Sequence, residues 1–243
     1  MGAMAGERIA VVTGASRGIG HAVAMELARQ GARVIAVARS LEALANQRGN
    51  GFDERIVPHA CDLGDIGASQ ALADRVSPFG RLDILVSNAA TMGPRVNLGA
   101  LREDDWRGVM AANVDANWRL IRDLGPLLQR SDAPRAVFLT SGSGSRLAPG
   151  RGAYAISKAA LDAIVRTWAA EAEGTSLRVM LVNPGPTRTD MRASIKPDED
   201  PMTLPAPAEL APKIAAMCSP DWRENGLFYD FPRDALLRYR EPA

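Results

Sequence analysis

The stretch Thr-Gly-Ala-Ser-Arg-Gly-Ile-Gly at positions 13–20 decides the fold of this chain. It follows a short apolar run and opens a segment with helical periodicity that continues to about Gln30. A strand, a glycine-rich turn and a helix in this order are the context of a dinucleotide-binding loop. Gly14 allows a tight turn, Gly18 lets a pyrophosphate approach the backbone, and Gly20 lets the helix lie close to the sheet. The N–H groups that begin the helix then face the phosphates.

Composition narrows the class of protein. The chain has 243 residues, 47% of them hydrophobic, and a formal net charge of +1 without a basic or acidic block. These values suit one globular domain, and we expect neither nucleic acid nor a membrane as a partner. The first residues do not resemble a secretion signal. Cys61 and Cys218 match no metal-ligand spacing, so two free thiols in the cytoplasm and no metal are expected.

Segments typical of strands and helices alternate along the rest of the chain. Strands are predicted at residues 9–12, 33–38, 55–58, 83–86, 136–139, 177–182 and 227–231, and further helices at 41–48, 65–76, 103–129, 152–173 and 209–217. This alternation predicts an α/β fold with a Rossmann-type doubly wound parallel sheet of about seven strands. Helices cover both faces, and residues 1–243 form a single domain. Four prolines within residues 197–207 exclude a regular helix there.

The segments with polar or glycine-rich character follow the ends of these strands. They are residues 13–20, Arg39, Asp62, residues 87–90, residues 140–145 and residues 183–190. Ligands of doubly wound sheets bind beyond the carboxyl ends of the strands. The sequence therefore predicts one binding site along this edge.

Tyr154 and Lys158 lie four residues apart near the start of the predicted helix 152–173. Residues at this spacing share a helical face, so a phenol and an ammonium can approach the same ligand. A free tyrosine has a pKa of about 10, and a nearby positive charge lowers it. The alternative is an ordinary aromatic residue and a surface lysine, because this spacing also occurs by chance.

Ser141 ends the predicted fifth strand, thirteen residues before Tyr154. Its hydroxyl could donate to the same substrate oxygen as Tyr154. Ser143 and Ser145 are close in sequence, so proximity alone does not decide between the three serines. Ser143 lacks the G-x-S-x-G context of a nucleophile elbow, and the two histidines, at positions 21 and 59, have ordinary explanations. A hydrolase triad or a zinc site is therefore not expected.

Together these motifs resemble the short-chain dehydrogenase/reductase family, in its compact single-domain form, from about Arg8 to Met191. The resemblance covers the cofactor loop, the acid beside the adenine ring, the segment after the central strand, a helix asparagine, the catalytic triad and the nicotinamide-side loop. The matching residues are Thr13, Gly14, Gly18 and Gly20; Asp62; Asn88, Ala89 and Ala90; Asn113; Ser141, Tyr154 and Lys158; and Pro184, Gly185 and Thr189. We further expect the cofactor to be bound by Ser16, Arg17, Ile19, Leu63 and Thr187. Ala90 departs from the usual glycine.

The resemblance implies hydride transfer between a nicotinamide and a carbonyl or secondary alcohol. Tyr154 is then the general acid in reduction and the base in oxidation. Lys158 lowers the pKa of Tyr154 and binds the ribose hydroxyls of the nicotinamide, and Ser141 polarises the carbonyl. Asn113 holds a water that relays protons from Lys158 to solvent; the alternative is an asparagine that only kinks its helix.

The cofactor is expected to be NADP(H) in preference to NAD(H). The predicted second strand ends Val-Ala-Arg-Ser at positions 37–40, without the acid that accepts from a ribose 2′-hydroxyl. Arg39 offers a planar fork of donors suited to a 2′-phosphate, and Ser40 could add a hydroxyl. Family resemblance places Arg17 on the same phosphate. The alternative is that both arginines are solvated loop residues.

The end of the chain departs from the family pattern. Family members usually end in a glycine-terminated strand that builds a tetramer contact, whereas residues 225–233 read Asn-Gly-Leu-Phe-Tyr-Asp-Phe-Pro-Arg and a charged tail follows. The predicted lid, residues 192–205, is short and proline-rich. We therefore expect a homodimer through helices 103–129 and 152–173, with a tetramer as the alternative. Trp118 and Trp168 are candidates for the contact or for the core.

Two other functions stay open at this point. A sugar-nucleotide epimerase or dehydratase shares the Tyr/Lys pair but usually needs a larger C-terminal domain. A non-catalytic protein that senses NADP generally loses the tyrosine or the lysine. We expect residues 8–140 to form the cofactor half, and residues 141–243 to supply the catalytic helix, the nicotinamide loop and the lid. Four arginines near the pocket suggest either an anionic substrate or solvated side chains: Arg95, Arg146, Arg188 and Arg192.

Overall fold

The computed structural model describes residues 6–45, 54–147 and 149–239. One eight-stranded sheet runs through it, in the order β3-β2-β1-β4-β5-β6-β7-β8. The strands are β1 (Ile9–Thr13), β2 (Arg33–Ala38), β3 (Ile56–Ala60), β4 (Ile84–Ser87), β5 (Arg135–Leu139), β6 (Arg178–Asn183), β7 (Phe228–Asp230) and β8 (Ala235–Leu237). All neighbours pair in parallel except β7 and β8.

Helices lie on both faces of this sheet. They are α1 (Gly18–Arg29), α2 (Leu41–Ala45), α3 (Ala68–Val76), α4 (Glu103–Met110), α5 (Ala116–Leu128), α6 (Ser143–Arg146), α7 (Gly152–Glu171), α8 (Asp190–Ile195) and α9 (Pro207–Met217). The sequence predicts a helix over residues 41–48 and a glycine stop after it; α2 confirms its start, and residues 46–53 lie outside the described part of the chain.

Alternation along the strands creates two separate cores. In β1, Val12 faces a cluster that includes residues of α1 and α9, whereas Val11 faces a cluster with residues of α3, α5 and α7. Successive side chains of a strand point to opposite faces, so an entirely apolar strand needs helices on both sides. The predicted doubly wound α/β fold is confirmed.

The predicted helix 103–129 is interrupted. A π-helical turn, Ala111–Asp115, separates α4 from α5, and it contains the fully buried Asn113. Single π turns inside α-helices occur often at functional sites. The hydrophobic period does not reveal such a turn, because the helical backbone continues on both sides of it.

The C-terminal region corrects the predicted strand number from seven to eight. After β7 the chain turns through the 3-10 segment Phe231–Arg233, and Asp234 takes a left-handed conformation with φ of 45°. Strand β8 then returns antiparallel to β7. Three residues are too few to show a strand period, so the sequence interpretation treated this segment as a charged tail.

The edges and the lid complete the architecture. Strand β3 forms one edge of the sheet and contains Pro58. The lid begins with α8 and holds a 3-10 turn, Pro201–Thr203, which agrees with the expectation that its prolines prevent a long helix. Arg192 binds Glu199 through two hydrogen bonds of 2.6 Å, so the lid is fastened to itself. Within the described residues, no helix is long and apolar enough to cross a membrane.

Candidate active site

The glycine loop between β1 and α1 leaves its backbone open to a ligand. Gly14 and Gly18 have φ of 65° and 58°, in the left-handed region that favours glycine. A Cβ on Gly20 would collide with the Gly14 carbonyl. No side chain caps α1 at Arg17, so the first N–H groups of this helix are available to phosphate oxygens. Backbone and cradle therefore fit a dinucleotide pyrophosphate.

Asn88 ties this loop to the end of β4. Its side-chain amide donates to the carbonyls of Thr13 and Gly14 at 3.0 and 3.3 Å. The Thr13 hydroxyl accepts from the backbone N–H groups of Asn88 and Ala89 at 2.9 and 3.0 Å. These bonds explain why a Cβ on Gly14 would lie 2.7 Å from the Asn88 amide. The structure thus brings Thr13, Gly14, Asn88 and Ala89 together.

The loop after β6 meets the glycine loop from the other side. The Thr187 hydroxyl donates to the Pro184 carbonyl at 3.1 Å, and Thr189 caps α8 by accepting from Arg192 N at 3.2 Å. The methyl group of Thr189 would lie 3.3 Å from a Cβ on Gly18. The structure thus brings Thr189 against the glycine loop, and Pro184, Gly185 and Thr187 lie in the same loop after β6.

The side chains proposed for the adenosine end lie on loops. Arg39 and Ser40 follow β2 and are exposed, and the Ser40 hydroxyl accepts from Ala43 N at 3.1 Å. Asp62 follows β3 and accepts from Gly64 N at 3.0 Å, while Leu63 is buried. Ser40 therefore caps the start of α2, and its O–H remains able to donate to a ligand.

Arg17 also has a partner in the polypeptide. Its guanidinium lies 3.3 Å from the Asp190 carboxylate at the start of α8, and both side chains are well exposed. An exposed ion pair of this kind is weak, at roughly 0–1 kcal/mol. Arg17 is thus neither buried nor locked, and a phosphate can compete for it.

Tyr154 and Ser141 face each other at the carboxyl edge. Tyr154 is buried in the first turn of α7, and the Ser141 hydroxyl lies close enough to its phenol to lower the pKa of Tyr154 as a hydrogen-bond donor. The Ser141 hydroxyl accepts in turn from Ser143 N at 3.1 Å. Of the neighbouring serines, the structure places Ser141 on the tyrosine, whereas Ser143 begins α6.

The pKa of Tyr154 differs from the sequence expectation. Burial raises this pKa, and the Ser141 hydrogen bond and the Arg151 charge only partly oppose the rise. The expected lowering by Lys158 does not prevail in the polypeptide alone, because its ammonium lies 5.8 Å from the centre of the Tyr154 ring and desolvation dominates. Tyr154 is therefore protonated at neutral pH.

Lys158 is buried one helical turn after Tyr154. Its ammonium donates to the Leu139 carbonyl at the end of β5, at 2.7 Å. Burial lowers the pKa of Lys158 to about 8, while the negative charge of Asp162 acts in the opposite direction. The Lys158 ammonium is thus held at the end of β5, two residues before Ser141.

Asn113 joins the loop after β4 to α7. Its side chain accepts from Thr91 N at 2.8 Å and donates to the Thr91 carbonyl at 2.8 Å and to Ser157 Oγ at 3.0 Å. Asn117 donates to the Asn113 carbonyl at 2.8 Å. The Asn113 side chain therefore has a structural role, because it crosslinks two elements of the site. The backbone carbonyl of Asn113 accepts a hydrogen bond from the Asn117 side chain, and its second lone pair can still accept from water.

The sequence interpretation missed a polar cluster one turn beyond Lys158. The Asp162 carboxylate accepts hydrogen bonds from Thr140 and, at 2.6 Å, from the Tyr239 hydroxyl. Arg166 stacks on the Tyr239 ring, with its guanidinium carbon 4.0 Å from the ring centre. The i+4 spacing of Lys158 and Asp162 was a signal for this cluster, but the contact with the C-terminal tail was not readable.

Two further predictions concern metal and substrate. Residues 6–45, 54–147 and 149–239 contain no group of histidine, cysteine and acidic side chains that could hold a metal ion. The arginines proposed near the pocket bind the protein itself: Arg95 donates to the Ile195 carbonyl at 3.0 Å, and Arg192 is paired with Glu199. Arg95 and Arg192 are therefore neither free for an anionic substrate nor simply solvated, because both hold segments of the lid in place.

This architecture is that of a dinucleotide-binding oxidoreductase, and comparisons with known proteins define it further. Residues 8–200 match the family described as short chain dehydrogenase. The uncharacterized oxidoreductase YciK of Escherichia coli is 37% identical over 231 residues, which cover 92% of this chain and 91% of that protein. The chain belongs to the short-chain dehydrogenase/reductase family and is an oxidoreductase.

Relatives also bear on the cofactor. The crystal structure of a short chain dehydrogenase from Shigella flexneri complexed with NADP matches with a TM-score of 0.84 and 37% identity, over 92% of this chain and 96% of that one. A Mycobacterium tuberculosis relative, 32% identical over 201 residues (76% of this chain, 73% of that protein), is named an NAD-dependent oxidoreductase. A nicotinamide cofactor is therefore supported, whereas the two names differ on which one.

Proposed function

We propose that the chain is an NADP(H)-dependent oxidoreductase that transfers a hydride between nicotinamide and a carbonyl or secondary alcohol. The observation that carries this proposal is the contact between Ser141 and the buried Tyr154, with the buried Lys158 one turn away. Residues 8–140 are the cofactor half, and residues 141–243 supply the catalytic helix, the nicotinamide loop and the lid.

Each residue of the site has a part in the proposed reaction. The nicotinamide, when bound, supplies or accepts the hydride. Tyr154, protonated at neutral pH, donates its proton to the substrate oxygen in reduction and takes it back in oxidation. Ser141 donates a hydrogen bond to the same oxygen. Lys158 binds the ribose hydroxyls, and its charge favours the phenolate during oxidation.

Asn113 completes the proton path in this proposal. Its carbonyl holds the water through which Lys158 exchanges protons with solvent, while its side chain keeps α7 in place. Asn88 and the glycines at positions 14, 18 and 20 hold the dinucleotide, together with Ser16, Ile19, Ala90 and the loop from Pro184 to Thr189. Asp62 and Leu63 bind the adenine ring.

Tyr154→Phe tests the catalytic assignment. The change removes only the hydroxyl, so we expect turnover to fall by about 10²- to 10⁴-fold while the NADPH dissociation constant stays within about twofold. A panel of ketones, aldehydes and alcohols, followed by nicotinamide absorbance, measures the rate. Tyr229→Phe is the matched control, because it loses a hydroxyl outside the site.

The outcomes separate the candidate functions. A Tyr154→Phe enzyme that retains more than half of the wild-type rate contradicts the assignment. Tight NADPH binding with no turnover of any substrate in the panel favours a sensor without catalysis. Interconversion of a sugar nucleotide without net change in NADPH favours an epimerase or dehydratase.

The preference for NADP(H) rests on Arg39 and Arg17. Arg39 is exposed at the end of β2, and the exposed ion pair of Arg17 leaves it free to exchange Asp190 for a 2′-phosphate. A charged hydrogen bond contributes about 1.5–3 kcal/mol. We expect Arg39→Ala to weaken NADPH binding by about 10- to 150-fold and to leave NADH binding nearly unchanged.

Fluorescence titration of both cofactors against wild type, Arg39→Ala and the control Arg29→Ala measures this preference. Arg29 is an exposed arginine on α1 that binds Glu26, so its loss should alter neither affinity. Equal binding of NADH and NADPH by the wild type would show that the arginine argument is wrong.

We further propose a cytoplasmic homodimer, with a tetramer as the alternative. Trp118 on α5 is 51% exposed beneath the Arg122 guanidinium, whereas Trp168 packs edge-to-face on Phe138 in the core. Of the two tryptophans, Trp118 is therefore the candidate for the helix contact. Sedimentation velocity measures the assembly.

A further inference from the structure

A single buried amide joins two turns of the active site. Asn183, the last residue of β6, is 6% exposed. Its side-chain oxygen accepts from Gly142 N at 2.9 Å and from Gly185 N at 3.2 Å. Gly142 follows the catalytic Ser141, and Gly185 belongs to the nicotinamide-side loop. One oxygen atom thus fixes the backbone on both sides of the reaction centre.

Asp230 determines which way this amide points. The Asn183 NH₂ group donates to the Asp230 carboxylate at 2.7 Å, and Asp230 is 8% exposed. An ionised carboxylate only accepts hydrogen bonds, so the NH₂ group must face it and the oxygen must face the two N–H groups. The opposite orientation of the amide would leave three polar groups without these partners: Gly142 N, Gly185 N and the Asp230 carboxylate oxygen.

The segment that carries Asp230 also touches the second turn directly. A Cβ on Gly185 would collide with the Pro232 ring, and Gly185 has φ of 64°. Arg233 binds the other oxygen of Asp230 at 3.3 Å from the exposed side. Asp230 therefore contacts Asn183, and Pro232 contacts the Gly185 turn, although the sequence of this segment departs from the usual family ending.

We propose that Asn183 and Asp230 are positioning residues that hold Ser141 toward Tyr154. The inference rests on the proposed function, because it requires Ser141 to polarise the substrate carbonyl. Asp230 orients the Asn183 amide, the amide holds Gly142 N, and the Gly142 backbone fixes the preceding serine. Small displacements of catalytic groups are costly; a shift of about 1 Å lowers rates by about 100-fold.

A double-mutant cycle between Asp230 and Ser141 tests this chain of contacts. We expect Asp230→Ala to lower kcat by about 10- to 100-fold, with a smaller change in NADPH affinity. In a Ser141→Ala background the same change should cost less than about twofold, because the serine it positions is absent. Asp230→Asn keeps an acceptor for the Asn183 NH₂ group and should restore at least about half of the rate.

The controls keep the inference separate from the proposed function. Arg233→Ala removes the exposed partner of Asp230 without touching Asn183 and should leave kcat unchanged. Should Asp230→Ala fail to fold, Asp230→Val, which also lacks an acceptor for the Asn183 NH₂ group, gives the same comparison without leaving a cavity. Equal losses from the Asp230 variant in both backgrounds overturn the inference alone. A Ser141→Ala enzyme with the wild-type rate overturns both the role of Ser141 and the inference.

Discussion

The two ends of strand β5 each carry a buried cation, and their surroundings differ. Arg135, its first residue, is 2% exposed, and Lys158, bound to the carbonyl of its last residue, is 3% exposed. The Arg135 guanidinium donates to five carbonyls, those of Pro134, Ser176, Ser219, Pro220 and Trp222, at 2.6–3.2 Å. Among the described residues, the Lys158 ammonium donates one hydrogen bond, to Leu139.

Arg135 and Lys158 are therefore similarly buried but differ in how many of their N–H donors the protein uses. An arginine has five N–H donors, and Arg135 uses all of them to join the turns at the amino edge of the sheet. A lysine has three donors, and Lys158 uses one of them within the described residues, which leaves the two that the proposed function assigns to the ribose hydroxyls. Burial lowers the pKa of Arg135 to about 10 and that of Lys158 to about 8. A saturated cation stabilises the fold, whereas an unsaturated one is ready to act on a ligand.

The largest effect is expected for the structural cation. Arg135→Met leaves several buried carbonyls without donors, so the free energy of unfolding should fall by about 3–5 kcal/mol. Urea unfolding measures this loss. Arg178→Met is the matched control: Arg178 lies opposite Arg135 on β6 and is only half-buried, and its bonds to the Arg223 and Thr175 carbonyls are exposed, so water can replace them. The same loss in both variants would contradict the comparison.

At the other end of β5, loss of the buried cation Lys158 should lower the turnover rate rather than the stability of the protein. Lys158→Met keeps the length of the side chain and loses the charge, so we expect kcat to fall by about 10²- to 10³-fold while the protein stays folded. Lys213→Met, which loses an exposed ion pair with Asp234 on the opposite side of the sheet, serves as control. Unchanged turnover in Lys158→Met would show that the unsatisfied donors have no function.

The smallest effect concerns pH. The folded-state pKa of Lys158, about 8, lies below its ordinary value of 10.5, so the unfolded chain binds more protons between these values. Stability should therefore rise with pH through this window, by about 3 kcal/mol at most. Subtracting the pH profile of Lys158→Met from that of the wild type isolates this contribution. A flat difference between the two profiles contradicts the lowered pKa.

Much of the fold follows from sequence periodicity. The apolar runs of β1, β2, β4, β5 and β6 have one explanation, which is burial on both faces, and the glycine loop fixes where the ligand edge lies. Strand β8 could not be predicted, because its three residues pair only once the turn at Asp234 has formed. The π turn at Asn113 was hidden for a similar reason, since it preserves the helical path.

The site divides in the same way. Tyr154, Lys158 and Ser141 were predictable because their spacing along one helix and one strand end is local. Asp162–Tyr239 and Asn183–Asp230 were not, because these pairs are 77 and 47 residues apart in sequence and meet only through the sheet order. The sequence also predicts a lowered pKa for Tyr154, since it shows the neighbouring charge but not the depth of burial.

The proline in β3 has a consequence for how copies of the chain can meet. Val34 N binds the Arg55 carbonyl and Cys61 N binds the Ala38 carbonyl. The backbone N–H and C=O groups of the odd-numbered residues of β3 therefore point toward β2, and the backbone of residue 58 points toward the open edge. Pro58 therefore removes the central donor from the five-residue open edge. Open edges recruit strands from other molecules and so promote aggregation, and this edge cannot offer a continuous ladder. A second copy that met the chain along β3 would therefore find this ladder interrupted at its centre.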